Sequence, residues 1–211
     1  MHGKKTFQKS VILENVTIGS IKLSDVNANV FQHVAPCNVP TLVLGRVFLK
    51  RYHAIIDLSQ KKLYLDYKKL SQFAMNKIQN TLLRQQSRAV PLLSLGSGSM
   101  VIPVQINHFT PVLFLFDTGT GVTLLSQAYA KIQHLKQAHN TKEILITKLI
   151  MNPLNLSFQP KVSLSKISAQ PVNLTMLRKY LYVQGIFGLS DMIKAHTIIF
   201  LNEGVVYLRS H

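Results

Sequence analysis

The segment GRVFLKRYHAIIDLSQKKLYL (45–65) aligns without a gap to GLSDMIKAHTIIFLNEGVVYL (188–208). Seven of the 21 positions are identical: Gly45/Gly188, His53/His196, Ile55/Ile198, Ile56/Ile199, Leu58/Leu201, Tyr64/Tyr207 and Leu65/Leu208. A gapless match in which the apolar positions also coincide is the signature of one supersecondary unit used twice. It constrains the fold strongly. The step from Gly45 to Gly188 is more than half of the 211-residue chain, so two full copies cannot fit. The chain therefore reads as one complete unit preceded by the rear of another.

Both matched pieces predict the same elements. A short apolar strand ends in glycine (LVLG at 42–45, GIFG at 185–188), a helix of one to two turns follows, and a strand-turn-strand hairpin closes the unit. Ser190 is placed to cap the second short helix, with Asp191 favourable in its first turn. Upstream, VTIGSIKLSDVNANV (16–30) has the texture of LSFQPKVSLSKISAQPVNL (156–174), although that alignment is loose.

The second unit also has a front half. AVPLLSL (89–95) and MVIPVQIN (100–107) flank the turn GSGS as a hairpin, and VLFLFD (112–117) leads into a DTGTG loop. Ser126 then caps a helix, QAYAKIQHLKQ, with Ala128, Ile132 and Leu135 on one apolar face. Between the units, Leu70, Phe73, Ala74, Met75, Ile78, Leu82 and Leu83 recur at helical spacing. Their stretch reads as a connecting helix with a core-facing side; its basic face also suits a membrane surface. The expected organisation is the rear half of a first unit over 1–66, a helical linker over 67–88 and a complete unit over 89–211.

Composition narrows the function. Apolar residues make up 47 % of the chain, enough for a packed core, and no apolar run approaches the ~20 residues that span a membrane. The opening MHGKKTFQKS lacks the apolar stretch of a signal peptide. Cys37 is the single cysteine, which excludes an internal disulfide and any multi-cysteine metal site. The net charge of +16 would suit an anionic partner. Its lysines and arginines are scattered, without the interleaved aromatics of an RNA-reading surface, so they read as a solvated exterior rather than a nucleic-acid site. His53 and His196 have no nearby Cys, Asp or Glu at metal-ligand spacing and read as structural. No metal or cofactor is expected.

Asp117 stands out among only eight acids. A carboxylate beside Phe114, Leu115 and Phe116 is expensive to ionise alone, whereas the Gly119 turn can present it to a cleft and Thr118 and Thr120 offer hydroxyls. Such a group suits acid/base work on water, opposite a second carboxylate sharing one proton. The plain alternative is an aspartate capping a strand-to-helix turn.

An apolar strand entering DTG at 117–119, an apolar-apolar-glycine strand at 186–188, then a short helix and hairpin resemble the retropepsin-like aspartic proteases. The likeness extends to bacterial proteins carrying two such units in tandem. It covers residues 88–211 as one unit and residues 10–66 as the rear of another. It implies an all-β fold of closed-barrel units with short helices, one complete and one partial. It further implies that Asp117 activates the attacking water, that Thr118, Gly119 and Thr120 shape its loop, and that Ile186, Phe187 and Gly188 form the strand beneath. VLGRVFL (43–49) resembles the same element of the first unit. Peptide-bond hydrolysis is the implied activity, a peptide or protein the substrate, and a cell-envelope or secreted setting the suggested location.

This chain departs from the pattern in three places. Gly121 stands where the family usually carries a side chain. The expected flap, HNTKEILITKLIMNPLNLSF (139–158), contains no glycine. The third departure is the partner acid. Carried back by the step from Gly188 to Gly45, the counterpart of Asp117 falls upstream of Met1. Glu14, Asp25, Asp57, Asp66, Glu143, Asp191 and Glu203 sit in no comparable loop. The second carboxylate is expected from a missing N-terminal half or a second copy; without it, the fold would serve as a silent binding or assembly module.

Overall fold

The computed structural model describes residues 7–31, 43–65, 71–96, 98–137, 141–151, 161–177 and 182–210. The chain divides into two compact units, Met1–Phe48 and Leu49–His211. In the first, β1 (Phe7–Leu13) pairs antiparallel with β4 (Val26–Phe31). A smaller hairpin of β2 (Val16–Ile18) and β3 (Ile21–Leu23) is nested between them. Gly19 turns that inner hairpin at φ +59°, where a side chain would be strained. Helix α1 (Arg46–Arg51) crosses the boundary between the units and has no buried residue.

The second unit opens with the hairpin β5 (Ile55–Asp57) and β6 (Lys62–Tyr64), followed by helix α2 (Gln72–Arg84). Ser71 caps α2, its Oγ accepting from the Ala74 N–H at 3.2 Å. Next come β7 (Arg88–Pro91), β8 (Leu93–Ser94), β9 (Met100–Ile106), β10 (Val112–Phe116) and β11 (Leu124–Ser126). They are followed by α3 (Gln127–Ile132), β12 (Ile144–Met151), β13 (Val162–Val172) and β14 (Val183–Phe187). Helix α4 (Leu189–Lys194) and the hairpin β15 (Ile198–Phe200) and β16 (Val205–Leu208) complete it.

Six of these strands close on themselves in the order β10-β14-β11-β13-β12-β9, with β9 returning to β10. Closure leaves the barrel wall no open edge, and β8 is appended to β9. The barrel is filled from every wall strand, by Ile102, Phe114, Leu125, Ile146, Leu164 and Phe187 among others. Each such side chain contributes about 1.5–3 kcal/mol by leaving water. The core continues onto the rear hairpins, where Ile199, Leu201, Val206 and Leu208 are buried and Ile56, Leu58 and Leu65 pack alongside.

A second sheet runs β6-β5-β15-β16-β7. One side of it is covered by α2, whose Leu82 is buried with Phe200 and Tyr207, and whose Met75 and Ile78 pack against them. Phe73 and Leu83, on the same periodic pattern, point to solvent.

Four local expectations change. Residues 43–45 of LVLG form no strand, whereas GIFG lies in and just after β14. AVPLLSL is shared between two sheets: β7 pairs with β16, and only Leu93 and Ser94 pair with β9. Helix α3 stops at Ile132 because His134 turns left-handed at φ +50°; it buries Tyr129 and Ala130, while Ala128 and Ile132 are exposed. Ser190 lies inside α4 rather than capping it, since Gly188 holds the cap position.

All four helices described above end in one way. The residues His53, Gln86, His134 and His196 each take a left-handed φ of +47° to +63°. After α1 and α4 the closing bonds match: His53 N–H to Lys50 O and Ala54 N–H to Leu49 O, against His196 N–H to Ile193 O and Thr197 N–H to Met192 O. These are Schellman closures, which satisfy carbonyls that a helix end would leave unpaired. The two repeated histidines thus sit at helix ends, and His53 Nδ1 lies 2.6 Å from Asn202 Nδ2.

Candidate active site

Strands β10 and β11 are consecutive in sequence but not adjacent in the barrel, because β14 runs between them. It is parallel to β10, with Phe114 opposite Gly185, and antiparallel to β11, with Leu125 also opposite Gly185. The loop 117–123 must therefore cross the end of β14. Two glycines make this crossing possible. A Cβ on Gly188 would stand 2.2 Å from Val122 C and 2.7 Å from Thr123 N, inside the loop backbone. A Cβ on Gly185 would meet the Phe114 ring at 2.5 Å and Leu124 O at 2.7 Å.

The crossing loop is hydrogen-bonded on both sides. The Asp117 N–H donates to Phe187 O at 3.4 Å, and the Gly188 N–H donates to Thr123 Oγ1 at 3.1 Å. At the start of α4, Leu189 N–H donates to Thr120 O at 2.8 Å and Ser190 N–H to Gly121 O at 3.0 Å. First-turn N–H groups of a helix have no partner within it, so the loop carbonyls cap α4 where no side chain does.

The fixed loop presents the Asp117 carboxylate, which is half-buried just past the last residue of β10. Gly119 N–H donates to its Oδ1 at 2.8 Å and Thr120 Oγ1 donates to its Oδ2 at 2.9 Å. These donors offset the cost of an acid beside a barrel core. Each oxygen keeps acceptor capacity for a further donor such as water. A Cβ on Gly119 would lie 3.1 Å from Oδ1, so this position favours the smallest residue, whereas Gly121 has open space around it.

The structure brings Asp117, Gly119, Thr120, Phe187 and Gly188 into this one cluster. Ile186 pairs with Leu115 on one side and Leu124 on the other. Thr118 is exposed at the tip of the loop. Sequence reasoning does not single out Thr123, yet it is fully buried and ties the loop to Gly188 through its hydroxyl and to Gln170 N–H through its carbonyl. The signal for it is slight, a hydroxyl-bearing residue inside the apolar run VTLL.

Four of the other described carboxylates are engaged elsewhere or sit in a turn. Asp57 is buried and accepts from Ser59 Oγ and the Gln60 N–H. Asp191 is buried with Lys194 Nζ at 3.2 Å. Glu143 bonds Ser168, and Asp25 occupies a left-handed turn at φ +55°. Asp66 lies outside the described residues. Of the expected flap, Ile144–Met151 forms β12, paired with β13 along its length and with β9 at Leu149–Met151, while 139–140 and 152–158 lie outside the described residues. No group of three or more His, Cys, Asp or Glu suited to a metal occurs among the described residues. None of their helices is long and apolar enough to cross a membrane.

No family model and no curated protein matches this chain. Solved structures do. Basic 7S globulin from soybean superposes on 90 % of the chain at 12 % identity with a TM-score of 0.52. The match covers 63 % of the globulin's own length, so the chain spans less than two thirds of it. A retropepsin-like aspartic protease from Rickettsia conorii matches 58 % of this chain and 89 % of its own length, at 12 % identity and a TM-score of 0.39. The likeness is one of fold: a mostly β architecture built on a closed six-stranded barrel, consistent with a retropepsin-like fold.

Proposed function

We propose that this chain supplies one half of an aspartic peptidase active site, with Asp117 as the carboxylate that activates water. The observation that carries this reading is the seating of Asp117. It is a half-buried acid held by two loop donors, in a loop fixed by β14 and α4 and kept close by Gly188. Thr118, Gly119 and Thr120 shape that loop, and Ile186, Phe187 and Gly188 support it from below.

The chemistry needs two carboxylates sharing one proton. The ionised one takes a proton from water as the water oxygen attacks the peptide carbonyl carbon. The protonated one gives its proton to the carbonyl oxygen. The resulting diol then collapses, the C–N bond breaks, and the amine nitrogen leaves with a proton. One carboxylate cannot be base and acid in the same step, so Asp117 works with a second aspartate from another polypeptide segment. The two titrate as a pair, and activity belongs at acidic to mildly acidic pH. In this reading residues 1–66 are the rear of a first unit, 67–88 a helical linker and 89–211 the complete unit.

A second reading is a catalytically silent module for binding or assembly. It draws support from the structural engagement of Asp57, Asp191 and Glu143, which occupies these three carboxylates away from Asp117. The soybean globulin likeness agrees with it only in that this fold does not dictate an activity. Acid-pH digestion of an unfolded protein separates the two readings. Cleavage lost in a folded Asp117→Asn variant supports the peptidase, and no cleavage by folded protein in any assembly state supports the silent module.

A further inference from the structure

Helix α2 turns one side to the rear sheet and the other to solvent. Met75, Ile78 and Leu82 pack on the sheet cluster, so the side that an amphipathic helix would sink into a bilayer is already occupied. The solvent side has its own pattern. Phe73, Lys77, Asn80 and Arg84 follow at steps of four, three and four residues, which lines them up along one exposed crest. Phe73 is 81 % exposed, and Leu83, beside the crest, is 44 % exposed.

The charge around this crest has one sign. From Lys68 to Arg88 the sequence carries Lys68, Lys69, Lys77, Arg84 and Arg88, and no acid occurs between Asp66 and Asp117. The sheet adds to it. Ile55 packs in the cluster under α2, and alternation along β5 and β6 puts Lys62, the cross-strand partner of Asp57, on that same face. Lys61 and Lys62 are exposed, with Lys62 Nζ donating to Gln60 Oε1 at 3.0 Å. Of the nearby acids, Asp57 is buried and held by Ser59 and Gln60. Glu203 stands in the β15–β16 turn, which antiparallel pairing of β5 with β15 sets at the opposite end of the sheet from Lys61.

We propose that the crest of α2 is a docking surface for an anionic phospholipid membrane. Phe73 enters below the headgroups with Leu83 at their level, Lys77 and Arg84 meet the lipid phosphates, and Lys61 and Lys62 add to the positive field of that face. Charge complementarity selects an anionic surface, since basic side chains near such a leaflet are each attracted to it. The apolar residues select lipid over nucleic acid. A bilayer takes both kinds of side chain together, the apolar ones among acyl chains and the cations among phosphates. A nucleic-acid backbone would engage the cations and leave Leu83 in water. The helix thus lies on the membrane surface with its apolar side still on the sheet.

The chain contains no tryptophan, so Phe73→Trp places a single indole on the crest. Its emission is followed in the 211-residue protein as vesicles of phosphatidylcholine with about 30 mol % phosphatidylglycerol are added. The expected result is a blue shift, with quenching by lipids brominated on their acyl chains. Both are lost at about 0.5 M salt and absent with phosphatidylcholine alone. Added to Phe73→Trp, Lys77→Gln and Arg84→Gln each weaken binding about fivefold. The pair Lys148→Gln and Lys166→Gln, exposed on β12 and β13, leaves binding nearly unchanged. All these side chains are exposed, so the urea midpoint of each variant stays in place. Equal weakening by the two pairs overturns the proposal, because net charge rather than this face would then hold the vesicle. Sedimentation with vesicles without a change at the indole overturns it, as does no binding at millimolar lipid. So does a single-stranded oligonucleotide that shifts the indole at a lower phosphate concentration than the vesicles need, which would give the face to nucleic acid.

Discussion

GIFG (185–188) and LVLG (42–45) read alike, each an apolar run ending in glycine before a short helix. The first is buried throughout and runs along β14 between two barrel strands. The described part of the second, 43–45, forms no strand, and Val43 is 69 % exposed. The difference lies in neighbours. A strand needs partners for its N–H and C=O groups on each side, and β10 and β11 supply them to β14. Among the described residues no strand pairs with 43–45. The stretches that follow, 49–64 and 192–207, keep matched helix closures, turns and registers because their hairpins meet as neighbours through β5 and β15. Equal sequence gives equal structure only where the surroundings are equal.

Substitutions can break this comparison. Phe187→Ala, at a fully buried position packed near Phe116, should cost about 3–5 kcal/mol in denaturant unfolding. Val43→Ala should stay within about 0.5 kcal/mol, and a large loss there would mean that LVLG is packed after all. Gly188→Ala forces Val122 and Thr123 backbone aside and should cost about 1–3 kcal/mol or more. Gly45→Ala, with nothing within 4 Å of its Cβ, should be nearly silent. Equal effects at the two glycines would dissolve the distinction.

A smaller change tests the matched halves. Lys61 holds a left-handed conformation that its counterpart Gly204 adopts without strain. Lys61→Gly should therefore stabilise by up to about 1 kcal/mol, read as a higher denaturation midpoint. A loss would show that the lysine side chain matters more than its backbone. The smallest effect is in alkali. Burial raises Tyr129 above the ordinary phenol value of 10.0; burial and then Glu203 raise Tyr207. The unfolded phenols ionise first. Their contribution to stability is full below about pH 10 and is lost as pH rises through the raised folded values. Tyr129→Phe and Tyr207→Phe should each flatten the alkaline fall in the unfolding midpoint.

Much of this was legible where the chain supplies its own context. The run VLFLF and the DTG that follows give β10 and its loop, and the repeated IIxL and YL positions give the rear hairpins. Other features depended on tertiary neighbours. Splitting of AVPLLSL between two sheets follows from β16 and β9 competing for adjacent residues, which periodicity cannot register. Capping of α4 by Thr120 and Gly121 carbonyls is invisible to any rule that looks for a serine. Asp117 was legible as a singular acid; Thr123, which holds its loop down, was not.

The most direct test of the central claim is cleavage of an unfolded protein at acid pH. The enzyme preparations are the 211-residue chain across a concentration series and the full reading frame that contains it, each beside Asp117→Asn. The account predicts cleavage by at least one of the two, wherever a second aspartate is available, falling at least about a hundredfold in the asparagine variant while the fold is retained. No cleavage from either folded preparation, or undiminished cleavage by Asp117→Asn, would contradict it.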